Sequence, residues 1–88
     1  MGNCGLTQTD NQIHLDTLDQ IHNLRQTWNL RPATRAESQH MFNMINSLSM
    51  AHFLKLYISV RNQPLRNHGD VAFRQCLDRV SSSRLGST

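Results

Sequence analysis

A small all-α domain of three helices is the fold this sequence predicts, and three observations carry that reading. Apolar residues recur at helical spacing in three separate stretches, and one of those stretches opens on a capping box. No two segments alternate apolar and polar side chains well enough to pair as a sheet. A chain of 88 residues holds one domain, whose core can cover only a modest share of its own surface.

Residues 1–9 contain Gly2, Gly5, Asn3, Gln8 and the threonines Thr7 and Thr9, a composition that reads as a flexible arm. Thr9 or Asp10 then caps a first helix over roughly residues 10–29. Projected at 100° per residue, Ile13, Leu18, Ile21, Leu24 and Trp28 fall within an arc of about 140°. Leu15 lies outside that arc, and Gln12, Asp16, Asp19, Gln20 and Asn23 make up the polar face. Trp28 ends this helix, where it can plug the core or stand out as an interaction anchor.

Pro32 stops the pattern because the residue before a proline is pushed out of helical geometry. Thr34-Arg35-Ala36-Glu37 follows, a T-x-x-E capping box that starts the second helix, expected over 34–60. Met41, Met44, Ile45 and Leu48 continue it at helical spacing. Leu54-Lys55-Leu56-Tyr57-Ile58-Ser59-Val60 alternates like a strand, yet a lone strand cannot satisfy its backbone, so the stretch is read as the end of this helix. Were it a strand, it would dimerise the protein through a shared edge.

Pro64 and Gly69 punctuate a connector over 61–69, and Asp70 caps a third helix over 70–81. Phe73, Cys76, Leu77 and Val80 share its inner face, with Arg74, Gln75, Asp78 and Arg79 on the outer one. The helical domain is thus expected over 10–81, with 82–88 a disordered polar tail.

Residues 41–60 have the length of a membrane span but include Lys55, His52 and several Asn and Ser residues. A central lysine costs about 2.5–3.5 kcal/mol on insertion scales, so a span is rejected and peripheral contact stays open. Without a secretory signal pattern, and with only Cys4 and Cys76 as thiols, the chain reads as intracellular and reduced.

No catalytic or cofactor motif is present. None of His14, His22, His40, His52 and His68 has another histidine or a cysteine three or four positions away, so no metal site is expected. Cys76 has apolar neighbours, and no serine elbow or phosphate-cradling glycine loop occurs. The expectation is a protein that is not an enzyme, with no cofactor.

Charge is uneven along the chain, with residues 61–88 carrying five arginines against Asp70 and Asp78 and residues 1–30 being net acidic. Arg61, Arg66, Arg74 and Arg79 could line a basic surface for phosphates, giving an alternative reading as a small nucleic-acid-binding protein, RNA included, that acts as a dimer. Solvated arginines on a helix face are the plainer explanation. Met41, Phe42, Met44 and Met50 make an apolar cluster suited to the core or to an adaptable protein partner.

Met1-Gly2-Asn3-Cys4 resembles the start of N-myristoylated proteins, although the motif asks for Ser or Thr at position 6 and this chain has Leu6, with Thr7 one place late. The resemblance implies myristate on Gly2. One acyl chain holds a membrane only marginally, and the acidic neighbourhood supplies no basic patch, so palmitate on Cys4 is the expected second anchor. A myristoylated, helical, basic domain of this size is similar in plan to the matrix domains of retroviral Gag proteins, a likeness of design without residue-by-residue correspondence. Small size and arginine in place of lysine also resemble the accessory proteins of compact viral genomes. The leading expectation is therefore a helical adaptor on the cytoplasmic face of a membrane, binding partner proteins, host factors among them if the source is viral.

Overall fold

The computed structural model describes the backbone of residues 2–86 and the side chains of residues 12–86. It is all-helical, with α1 at Gly2–Leu30, α2 at Arg35–Ser47, α3 at Met50–Arg61 and α4 at His68–Leu85. Four helices therefore stand where three were expected.

The extra helix comes from a break in the stretch expected as one helix over 34–60. Leu48 leaves helical geometry at φ −67° and ψ 150°. Ser49 then caps α3 by accepting the His52 amide N–H at 3.2 Å, and Ser47 Oγ donates to the Met44 carbonyl at 2.7 Å. Serines offer the backbone local partners that compete with the helical ladder, which places the break among them. The turn lets Leu48 enter the core and swings α3 so that Phe53, Leu56 and Val60 follow it inward. The alternating stretch over 54–60 is helical, as expected. Its burial has helical period, since Leu56 and Val60 are inside while Ile58 is 58% exposed.

Boundaries shift at three other places. α1 begins at Gly2 rather than near residue 10, though the side chains of its first ten residues, Cys4 among them, lie outside the described residues. α4 begins at His68, capped by Asn67, whose Oδ1 accepts the Asp70 N–H at 2.9 Å, so Asp70 sits in the first turn instead of at the cap. α4 also continues through Ser82–Leu85, where a tail was expected, because Arg84 ties it down. The Arg84 guanidinium lies 5.2 Å from the Phe53 ring centre and donates to the Leu48 carbonyl at 2.7 Å, a group the α2–α3 break leaves open. Met1, Ser87 and Thr88 lie outside the described residues.

The capping box stands as expected. Thr34 Oγ1 accepts the Glu37 N–H at 3.1 Å, and Glu37 Oε1 accepts the Thr34 N–H at 3.0 Å. Arg31 adds a two-pronged pair to the same carboxylate at 2.8 and 2.6 Å, closing the α1–α2 turn around Pro32.

α4 packs against each of the other helices. Its Phe73, Cys76, Leu77 and Val80 meet Ile21 and Trp28 of α1, Met41, Met44 and Ile45 of α2, and Phe53 of α3 in one core. Gly69 lets the start of α4 lie directly on the end of α1, against the Trp28 main chain. No helix among the described residues is long and apolar enough to cross a membrane.

Candidate functional site

Trp28 is 2% exposed, so of the two roles its sequence position allows it is the core plug and not an exposed interaction anchor. It belongs to the apolar arc of α1, and closing the α1–α4 contact puts it inside. Its indole Nε1 is buried without a hydrogen-bond partner among the described residues. The Met41 and Met44 cluster is core as well.

The basic residues expected to form one surface are distributed over several contacts. Arg61 donates to the Tyr57 hydroxyl at 2.9 Å and lies 5.5 Å from that ring, at the α3–α4 side. Hydrogen bonds from Arg61 first, then Ser81, hold the Tyr57 phenol below its usual range. Arg79 lies 5.1 Å from the Phe42 ring on α2. Arg74, half-buried, is about 140° around α4 from Arg79, since five residues turn a helix that far. Arg66 sits in the α3–α4 loop, its Nε 3.8 Å from Asp70 Oδ2.

Asp70 gathers a set of polar groups around it. It is the buried charged side chain of the described structure, at 4% exposure. Its Oδ2 accepts the Arg66 backbone N–H at 3.0 Å, and its Oδ1 accepts Arg25 Nη2 at 3.3 Å. Those two contacts, the backbone N–H foremost, hold its carboxyl below the usual carboxylate range against the opposing effect of burial. Arg25 is fixed in turn, with Nη2 3.1 Å from Gln63 Oε1 and the guanidinium 4.8 Å from the Phe73 ring centre. His22, Arg25, Gln26, Gln63, Arg66 and Asp70 are among the walls of a cleft of about 250 Å³ between α1, the α3–α4 loop and the start of α4.

This cluster lies outside the residues that spacing singles out, yet the sequence holds one signal for it. On the α1 projection Arg25 falls inside the arc of about 140° that holds the apolar residues. A charge on the inward face calls for a buried partner. His14 falls in the same arc and stacks on His52 of α3 with ring centres 5.0 Å apart. Among the described residues, no group of three or more His, Cys, Asp or Glu side chains comes together in a way that could hold a metal ion. Cys76 lies in the core, its Sγ 3.8 Å from the Ser38 carbonyl oxygen, and burial pushes its thiol up from the ordinary value.

Neither a family model, nor a curated protein, nor a solved structure matches this chain.

Proposed function

We propose that this protein is a non-enzymatic helical adaptor that attaches peripherally to membranes through acyl groups on Gly2 and Cys4 and presents its helical body to a protein partner. The observation that carries the reading is the disposition of α1. Contact with the rest of the body is made at His14, Leu18, Ile21, Leu24 and Trp28. Gly2 stands about 18 Å farther along the helix than His14, at 1.5 Å per residue. An acyl chain at that end would reach a bilayer while leaving the faces of α2 and α4 open to a partner. Ile13 and Leu15, at 54% and 42% exposure, add apolar surface along the same half of α1.

Intact mass of the full chain produced in eukaryotic cells tests the anchor directly. Loss of Met1 with a myristoyl increment, and a further palmitoyl increment, is the expected result. Gly2→Ala and Cys4→Ser should each move the protein from the membrane fraction to the cytosol. An unmodified mass, with partitioning unaltered by both substitutions, would overturn the proposal.

A further inference from the structure

The cleft around Asp70 has more construction than a helix start requires. Capping α4 needs only Asn67, and Asp70 in the first turn could settle its charge with the Arg66 N–H and water. Instead Arg25 crosses from α1 with its side chain only 16% exposed, fixed by Asp70, Gln63 and the Phe73 ring. Both of its described hydrogen bonds leave from Nη2, so Nη1 and Nε have no protein acceptor among the described residues. Arg66 contributes the opposite kind of group, a guanidinium with a side chain 75% exposed, tethered to the rim by its backbone bond to Asp70.

Charge and size limit what such a cleft can hold. Two guanidiniums against one carboxylate leave an excess of positive charge, which turns away cations. The surrounding side chains, His22, Gln26 and Gln63, are polar, which disfavours an apolar molecule. The volume of about 250 Å³ falls below that of pockets for drug-sized ligands, and suits one oxyanion with a few attached atoms. A planar carboxylate is satisfied by a single guanidinium fork. Here one guanidinium is held at the floor and another is exposed at the rim, so a tetrahedral anion, with oxygens in more than one plane, can meet both.

We propose that this cleft binds a phosphate group, carried either by a small soluble ester or by a lipid headgroup. The proposal does not depend on acylation of the N-terminus.

The test is an NMR titration of the full, unacylated Gly2→Ala chain, following the side-chain amides of Gln26 and Gln63. Inorganic phosphate and glycerol phosphate are the soluble probes, with chloride at matched ionic strength as control. Vesicles of phosphatidylcholine with and without phosphatidic acid are the second arm, read by co-sedimentation. Saturable shifts with the phosphates and not with chloride are expected, weakened roughly tenfold by Arg66→Ala. Arg35→Ala, at an exposed position on α2, should change nothing. Sedimentation that needs both phosphatidic acid and Arg66 assigns the source as a headgroup. Binding of the soluble phosphates alone assigns it as an ester. Shifts matched by chloride, binding indifferent to Arg66→Ala, or silence in both arms would overturn the proposal.

Discussion

Gly69 approaches the Trp28 main chain so closely that a Cβ on it would stand 2.7 Å from the Trp28 carbonyl oxygen and 2.8 Å from its carbonyl carbon. Both obstacles are backbone at the end of one helix, and Gly69 itself belongs to the first turn of another. Neither can step aside without moving its helix. Gly69→Ala should therefore destabilise the fold by about 1–3 kcal/mol, as overpacking does, although alanine is the better helix former. Urea unfolding measures this, and a variant as stable as the parent would show that α1 and α4 can separate without penalty.

The two lowered carboxylates predict the acid limb of stability. Glu37 is drawn down to about 2, first by its hydrogen bond from Arg31 and then by the Thr34 N–H. Asp70 is lowered by the Arg66 N–H and by Arg25. A carboxylate whose value is lower folded than unfolded stabilises the fold above its ordinary range, near 4. That stabilisation is lost as the pH falls from there through the lowered value. Stability should decline from about pH 5 downward, and Asp70→Asn and Glu37→Gln should each flatten the slope. A slope unchanged in Asp70→Asn would mean that the Arg25–Asp70 pair does not survive in solution.

Removing Arg25 isolates a different quantity. Arg25→Ala removes one charged partner of a carboxylate that is only 4% exposed, and losing such a hydrogen bond costs about 1–3 kcal/mol. The Arg66 N–H retains part of its support, so the lower end of that range is expected. Arg25→Ala combined with Asp70→Ala should recover part of the loss. Denaturation of the two single variants and the double variant gives the coupling.

Trp28 permits a separation of volume from hydrogen bonding. Its Nε1 donor is buried without a partner among the described residues, a state that costs about 1–3 kcal/mol where it occurs. Trp28→Phe deletes the donor and keeps an aromatic ring, whereas Trp28→Ala opens a cavity and should cost about 3–5 kcal/mol. Phenylalanine should be much the milder change by thermal unfolding. Equal losses would mean that the indole finds a partner in solution.

Cys76 should resist alkylation in the folded protein. Burial, 4% exposed, both hides the thiol and raises its pKa, so the reactive thiolate is scarce. Iodoacetamide labelling followed by mass should be slow in buffer and fast in urea.

Much of this architecture is legible in residue order. The box at Thr34–Glu37 and the inner faces of α1 and α4 follow from local spacing, and local spacing is intrinsic to the chain. The break at Leu48–Ser49 was legible only in part. Ser47 and Ser49 permit an exit from the helix, and on a continuous helix Phe53 falls about 180° from Met44, but Met41, Met44, Ile45 and Leu48 share one helical face and do not by themselves announce a break. Which outcome wins depends on α4, whose Arg84 holds the Leu48 carbonyl from 36 residues away. The same limit applies to the cleft. Arg25 lying among apolar positions hints at a buried partner, but nothing local identifies that partner as Asp70.

The position of α4 in the core has a consequence for how the chain comes into being. Of the four described helices α4 is the last to be synthesised, and it is the one against which the other three pack. Until it emerges from the ribosome, Trp28, Met41, Ile45 and Phe53 have no completed interior to enter. Between the emergence of the first three helices and that of α4, the polypeptide therefore displays apolar side chains that the packed helices conceal.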